Sequence, residues 1–245
     1  MRALCFCLIG CLIPGAAVEA GERSREIRAG NWRGRHIQYQ AMDGWALVEG
    51  DILLAPVSEL ERGGQRTGVE RGASATSSPY LLWEDGVVPY MVDPDLPWPE
   101  RVKEAIQHWQ DRTSIRFVER TVETSWVTFR PGYYGCSATL GRRGPASVVN
   151  LSIDCDTVST IHEIGHVLGL FHTQSRNDRD QYLRVRYENV DRLEWAQYDQ
   201  HIADGQDIGP YDFGSIMHYP AWGFTSNGER TMQTVGTNEI GRAHV

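Results

Sequence analysis

Twelve consecutive residues carry the strongest signal in this sequence: Ile161-His162-Glu163-Ile164-Gly165-His166-Val167-Leu168-Gly169-Leu170-Phe171-His172. They follow the pattern H-E-x-x-H-x-x-G-x-x-H. On a helix, residues four positions apart lie on one face, so His162 and His166 can offer their imidazoles to a single metal ion, with Glu163 beside them. His172 lies about 240° further around such a helix, so it reaches the same ion only if the chain turns.

Glycine permits this turn. Gly169 can adopt the left-handed backbone conformations that commonly end helices, which would bring the third histidine back towards the metal. A zinc ion held by three neutral imidazoles keeps an open position, as in catalytic rather than structural zinc sites. A carboxylate beside such a site can accept a proton from water and later donate it. The pattern therefore predicts one Zn²⁺ ion bound by His162, His166 and His172, with Glu163 as general base and acid.

A second motif lies downstream, at residues 211–219, which read Tyr-Asp-Phe-Gly-Ser-Ile-Met-His-Tyr. After the long zinc motif, Ser-Ile-Met-His-Tyr resembles the Met-turn of the metzincins in the form found in the astacin family. The resemblance spans about residues 74–240. It is also carried by four shorter segments: Trp83–Tyr90, Gly135–Ser137, Gly141–Gly144 and Ser175–Asp180.

The resemblance implies an α+β metzincin (zincin-like) catalytic domain, with an upper mixed β-sheet backed by helices, zinc in the cleft and a mostly irregular, here truncated, lower subdomain. It implies a zinc metalloendopeptidase acting on protein or peptide substrates. Met217 would form an apolar floor beneath the metal. Tyr219 would be a fifth zinc ligand at rest that swings away to hydrogen-bond the transition state. Cys136 and Cys155 match the two cysteines of an astacin disulfide.

One position departs from the family pattern. Astacins usually carry glutamate directly after the third histidine, where it meets the buried amino terminus of the mature enzyme, and Thr173 stands there in this chain. Threonine accepts a hydrogen bond but cannot neutralise an ammonium group. Together with the single disulfide and the shortened tail, this departure leaves an alternative: a catalytically inactive, zinc-containing module that binds proteins.

The first twenty residues have the features of a secretory signal: an early arginine, an apolar run and a small-residue end at Ala20. We therefore expect a secreted protein. Alternatively, the residues before Cys11 resemble a bacterial lipobox, which would leave a lipoprotein anchored through that cysteine. Three of the five cysteines belong to this leader. The remaining pair, Cys136 and Cys155, most simply forms one disulfide in a secreted chain.

Residues 21–73 are polar and rich in glycine and arginine, which predicts little regular structure outside an island at Trp45–Pro56. Within the island, Val48-Glu49-Gly50-Asp51 resembles the F-x-G-D motif of astacin propeptides, with valine in place of phenylalanine. The resemblance implies that Asp51 binds the zinc ion in the zymogen and displaces water. The alternative for Asp51 is an ordinary aspartate of a surface turn.

The sequence also suggests domain boundaries. Arg66 and Arg71 precede the expected start of the mature enzyme near Ser74 and would suit an activating trypsin-like protease. The catalytic domain would cover residues 74–238. Residues 239–245 are what the beginning of a common sequencing adapter would encode, so we expect them to be an artefact.

Composition limits the possible partners. A net charge of -8, with 41% hydrophobic and 23% charged residues, is typical of a globular protein and argues against a nucleic-acid or anionic-membrane surface. No segment after the leader is long and apolar enough to span a bilayer, and we expect a monomer.

Residue patterns predict a strand–helix order for the catalytic part. A helix is expected at Pro99–Gln110, with Val102, Ala105, Ile106 and Trp109 on one face. Thr157 or Ser159 is expected to cap the zinc helix. The resemblance implies an exposed edge strand at Gly135–Leu140 that binds extended peptides. Four further strands are predicted: Val87–Val92, Ile115–Val118, Trp126–Phe129 and Val148–Ile153.

Overall fold

The computed structural model describes most of the chain: residues 26–32, 35–61, 73–133, 135–145, 147–201 and 204–236. The expected signal sequence, the arginines expected at the activation site and residues 239–245 lie outside these ranges, so the predictions for them stay predictions. None of the helices in the described ranges has the length and apolar character needed to cross a bilayer.

The described residues form short strands and three α-helices. The strands are β1 (Ile27–Trp32), β2 (Arg35–Met42), β3 (Trp45–Val48), β4 (Ile52–Pro56), β5 (Ala73–Thr76), β6 (Val87–Val92), β7 (Arg116–Glu119), β8 (Val127–Pro131), β9 (Cys136–Thr139), β10 (Ser147–Leu151), β11 (Leu183–Val185), β12 (Gly205–Gln206) and β13 (Met232–Thr234). The α-helices are α1 (Val57–Glu61), α2 (Glu100–Arg112) and α3 (Thr157–Val167). Short 3₁₀ turns lie at Pro79–Leu81, Glu84–Gly86, Thr173–Ser175, Arg179–Gln181 and Arg192–Tyr198.

In the described part of the chain, nine strands form one mixed sheet in the order β1-β2-β3-β4-β9-β10-β8-β6-β7. Strands β10, β8, β6 and β7 are parallel, and β9 is antiparallel to β10. Strands β1 to β4 form an antiparallel meander. The meander joins the sheet where β4 lies parallel to β9, with Ile52 opposite Ala138 and Leu53 opposite Thr139.

The predicted α+β architecture is confirmed, and helices α2 and α3 pack on the sheet. Helix α2 begins after Pro99 and buries Val102, Ala105 and Ile106, as its residue pattern predicted. Strand β6 has the predicted bounds, and the other expected strands are present with ends shifted by one or two residues. Such shifts are usual because the ends of elements depend on hydrogen bonds that no local pattern encodes.

The cap of the zinc helix is one residue earlier than expected. Asp156 is the N-cap of α3, and its carboxylate accepts a hydrogen bond of 2.7 Å from the backbone N–H of Ser159. Thr157 is already the first helical residue. The prediction of Thr157 or Ser159 as cap was therefore wrong, because aspartate in an extended conformation caps a helix equally well.

The expectation of little regular structure outside the island at Trp45–Pro56 was wrong for residues 27–32 and 35–42, which form β1 and β2 of the meander, whereas β3 and β4 lie within the island. The buried side chains of the meander include Trp32, Tyr39 and Leu54, which form one apolar cluster with Leu140 and Phe171 of the later chain. In β1 and β2 the apolar residues alternate with Arg and Gln, so average composition conceals one buried face. The edge strand expected to be exposed is β9, and β4 covers its edge.

The part of the chain after α3 contains little regular structure within the described ranges, as predicted. Its strands have only two or three residues each. A separate apolar cluster holds this part together, consisting of Leu183, Val190, Tyr198, Tyr211, Tyr219 and Met232. The predicted disulfide is also present and links Cys136 of β9 to Cys155, just before α3.

Candidate metal centre

Helix α3 and the turn after it bring three imidazoles together. His162 and His166 project from one face of the helix, Gly169 has a φ of +97°, and His172 returns to the same point. The Nε2 atom of His162 lies 3.1 Å from the Nε2 of His166 and 3.1 Å from that of His172. All three rings are buried. The turn predicted at Gly169 is therefore present, and a side chain there would be strained.

The tautomers of these histidines follow from their second nitrogens. Each Nδ1 faces an acceptor: the carbonyl oxygen of Ile216 for His162 at 2.7 Å, that of Leu170 for His166 at 2.8 Å, and Glu49 Oε2 for His172 at 2.7 Å. Carbonyl and carboxylate oxygens only accept, so each Nδ1 carries the proton. When all three rings are neutral, their Nε2 lone pairs then face one another at close range. This arrangement is unfavourable unless a cation lies between them.

A carboxylate completes the donor set. Oxygens of Asp51 lie 3.3 Å from the Nε2 of His162, 3.4 Å from that of His166 and 3.3 Å from that of His172. The four candidate ligand atoms lie within 4.8 Å of one another. Tetrahedral zinc with Zn–N distances of 2.0–2.1 Å separates its ligand nitrogens by about 3.3 Å. The residues therefore fit one zinc ion held by three histidines and one aspartate.

The buried ionisable groups have shifted pKa values. Burial opposes ionisation of Asp51, but its interactions with the surrounding histidines, that with His172 first, outweigh burial and lower its pKa. Burial and the neighbouring charge of Asp51 raise the pKa of Glu163 well above its ordinary value. Burial lowers the pKa of His166 to about 4, which favours the neutral form that binds metals. The site therefore favours the protonated form of Glu163 and the ionised form of Asp51.

The Met-turn lies directly beneath the helix. Met217 is buried, and its sulfur lies 2.5 Å from the position that a Cβ on Gly165 would occupy. Its carbonyl oxygen accepts a hydrogen bond of 2.7 Å from the N–H of Thr173, which ties the turn to the residue after His172. The structure thus places Met217 under the ligand-bearing helix. The sequence reasoning missed Gly165, although a glycine inside a helix is itself a signal of close packing.

Tyr219 is buried beside the histidines, and its ring centroid lies 4.4 Å from that of His172. Its hydroxyl donates a hydrogen bond to the backbone carbonyl of Glu49. Burial and the charges of Asp51 and Glu49 raise its pKa well above the ordinary value, so the phenol is protonated. In this state the hydroxyl contacts the N-terminal meander, and the role of Tyr219 as a fifth zinc ligand stays a prediction.

With this geometry described, comparison with known proteins identifies the family. The model of the peptidase family Astacin matches residues 75–244. The chain belongs to the astacin family. Among solved structures, this astacin chain is similar to High choriolytic enzyme 1, a hatching enzyme zinc-protease from Oryzias latipes. The TM-score is 0.62 and the identity 27%, over 71% of this chain and 90% of the other. The expected astacin fold is confirmed.

Curated relatives match over part of their length. Bone morphogenetic protein 1 from Xenopus laevis is 35% identical over 174 residues, which are 66% of this chain and 24% of the relative. Zinc metalloproteinase nas-6 from Caenorhabditis elegans is 34% identical over 168 residues, which are 66% of this chain and 48% of the relative. This astacin chain thus spans about a quarter of the first relative and about half of the second.

Sequence reasoning overlooked a second set of polar residues beside the metal ligands. Glu49 is buried, and its Oε1 lies 2.5 Å from the Nε2 of His201, whose Nδ1 lies 3.0 Å from Asp204 Oδ1. The aromatic ring of Phe171 stacks on His201 with centroids 3.6 Å apart. Glu49 lies within the propeptide-like motif Val48–Asp51. Its partner His201 follows 152 positions later, and no spacing rule predicts a contact over that separation.

Proposed function

We propose that this chain is a zinc-dependent endopeptidase that is exported and made as a latent precursor. The observation that carries the proposal is the convergence of the Nε2 atoms of three histidines beside a buried glutamate. The Oε2 atom of Glu163 has no hydrogen-bond partner within the described residues. A buried carboxyl oxygen without a partner costs free energy, so its presence beside a candidate metal site supports a chemical role.

The chain's own residues divide the chemistry as follows. His162, His166 and His172 hold the Zn²⁺ ion, which lowers the pKa of water and polarises a peptide carbonyl when bound. Glu163 takes a proton from the attacking water and passes it to the leaving amine, and its raised pKa suits both steps. The hydroxyl of Tyr219, freed from Glu49, donates a hydrogen bond to the oxyanion. Substrates are proteins or peptides that lie along the edge of β9.

Residues 21–73 act as the propeptide. Two contacts support this role: Asp51 occupies the fourth ligand position, and β4 occupies the edge of β9. A bound carboxylate displaces water from the metal, and a paired edge excludes a peptide. Latency therefore has two causes, the carboxylate at the metal site and the blocked edge of β9. Both are removed when the meander dissociates.

The remaining parts of the proposal concern processing. Residues 1–20 direct export, a trypsin-like protease cuts near Arg66 or Arg71, residues 74–238 are the catalytic domain, and residues 239–245 are an artefact of library assembly. We expect a secreted monomer. Mass spectrometry of the exported protein tests the leader, because cleavage after Ala20 leaves Gly21 at the amino terminus, whereas lipoprotein processing leaves a lipidated Cys11.

The central experiment uses the precursor from Gly21 to residue 238, followed by the genomic continuation. The protein is loaded with zinc and cleaved with trypsin. Trypsin is then blocked with an inhibitor, and the protein is incubated with a peptide library. We expect cleavage that a chelator abolishes and added Zn²⁺ restores. A Glu163→Ala precursor treated in the same way is the control. Zinc-loaded, processed protein that cleaves no peptide would favour the alternative of an inactive binding module.

A further inference from the structure

The side chain of Glu49 occupies a pocket made by the later part of the chain. Its Oε2 faces the ring Nδ1 of His172 at 2.7 Å and the backbone N–H of the same residue at 3.3 Å. Its Oε1 faces the Nε2 of His201 at 2.5 Å. Both carboxylate oxygens thus meet nitrogen donors. Glu49 is 3% exposed, so water contributes little to its solvation.

The donors are held in place by their own neighbours. Asp204 lies 3.0 Å from the Nδ1 of His201, which orients the ring and stabilises its charged form. Phe171 stacks on the ring at 3.6 Å and restricts its rotation. Val48, beside Glu49, packs against the cluster that contains Phe171. Packing of Val48 therefore holds the acceptor Glu49 in place, and Asp204 and Phe171 hold the donor His201.

We propose that His201, Asp204 and the two nitrogens of His172 form a carboxylate-binding site, and that this site binds Glu49 of the propeptide separately from the binding of Asp51 to the metal. The proposal rests on the proposed latency. It gives the precursor two carboxylate anchors, only one of which contacts the metal. Since Asp204 and His201 belong to the catalytic part, the site remains in the mature protein and takes carboxylates of other peptides as ligands.

The site has a second effect, on the third metal ligand. A histidine that binds a metal normally donates its other ring N–H to an acceptor, which fixes the ring and makes it a stronger ligand. For His162 and His166 the acceptor is a carbonyl of the catalytic part, whereas for His172 it is Glu49. The propeptide therefore contributes to metal retention at His172, and its departure removes that contribution.

Hydrogen exchange of the zinc-loaded precursor tests the anchor without any assay of activity. Glu49→Gln keeps the shape of the side chain and removes its charge. We expect the amides of β4 to exchange about 10- to 100-fold faster, because hydrogen bonds to charged groups contribute on this scale. The matched control is Glu59→Gln, at an exposed glutamate of α1, which should leave exchange unchanged. Equal protection of β4 in the Glu49→Gln variant and the unaltered precursor would overturn the proposal.

A double-mutant cycle separates a specific pair from general loosening. His201→Asn should speed exchange in β4 to a similar degree, and the combination with Glu49→Gln should add little to either change. Fully additive changes would mean that the two side chains do not act together. If the His201 variant does not fold, release of zinc to a chelator from Glu49→Gln serves instead. We expect about 10-fold faster release or more, and unchanged release would contradict the proposal.

A trans-binding experiment distinguishes this proposal from the proposed function. A synthetic peptide of residues 45–56 with Asp51→Asn is titrated into processed protein, and binding is followed by fluorescence anisotropy. We expect binding that weakens by about 10-fold or more when Glu49 is also replaced by Gln. Processed protein that binds the peptide in this way but cleaves nothing would refute the endopeptidase and leave the carboxylate site intact. Equal binding of the two peptides would contradict the proposal that this site binds the carboxylate of Glu49.

Discussion

Met217 packs its sulfur against the backbone of Gly165, where an added Cβ would lie 2.5 Å from the sulfur and 3.0 Å from the terminal methyl carbon. This contact joins the Met-turn to the helix that bears His162 and His166. A methyl group at Gly165 must displace Met217 or tilt the helix. The two ligands and the turn behind them therefore move together.

We expect Gly165→Ala to destabilise the precursor by about 1–3 kcal/mol, the usual cost of inserting a methyl group into a packed site. Chemical unfolding of the zinc-loaded protein measures this change. The control is Gly214→Ala, where the nearest atom to the new Cβ is a side-chain oxygen at 3.4 Å. In a Met217→Ala background, the Gly165→Ala change should cost less free energy of unfolding than in the unaltered protein. An equal cost in both backgrounds would show that the contact with Met217 is not the cause.

Glu163→Ala should retain zinc and lose turnover. General acid–base catalysis contributes about 10²- to 10⁴-fold, so processed protein should lose activity on that scale. Metal content is measured by elemental analysis and turnover with a peptide substrate. Hydrolysis at the original rate would remove Glu163 from the mechanism.

Asp51→Ala should release activity before the propeptide is removed, because it leaves the fourth ligand position open to water. The assay compares unprocessed Asp51→Ala with unprocessed wild-type protein on a short peptide. Since β4 still covers the edge of β9, we expect partial rather than full activity. If the unprocessed variant has no more peptidase activity than the unprocessed wild-type protein, Asp51 is not the latency switch.

The contact between Glu49 and His201 should weaken in alkali. Burial opposes charge on His201, but the carboxylates of Glu49 and Asp204 outweigh it and raise its pKa from 6.5 to about 9. A raised pKa in the folded state gives a contribution that is complete below about pH 6.5 and lost as the pH rises through about 9. The difference in unfolding free energy between the precursor and His201→Asn should therefore shrink between these values, by up to about 3 kcal/mol.

Urea unfolding of both proteins at about pH 6.5, 8 and 10, which spans the two pKa values, measures that difference, and other titrating groups cancel in the comparison. A difference that stays constant over this range would mean that His201 carries no charge in the precursor. A difference that grows with pH would contradict the sign of the argument.

The sequence was sufficient to predict that the three histidines converge, because their geometry is local. Helical spacing places His162 beside His166, and Gly169 accounts for the return of His172. The pairing of β4 with β9 and the contact between Glu49 and His201 are not local, and nothing in the chain near either residue marks them. Strands β1 and β2 were missed because their apolar residues alternate with Arg and Gln, so that average polarity concealed one apolar face.

In the proposed zymogen, the pairing of β4 with β9 separates cleavage of the chain from the onset of catalysis. A nick between the meander and the catalytic part breaks one covalent link but leaves the backbone hydrogen bonds and the shared apolar cluster in place. Catalysis then begins only after strands β1 to β4 dissociate together. This dissociation is a first-order step, so its rate does not depend on the amount of activating protease. Progress curves of freshly nicked protein would show a lag with its own time constant.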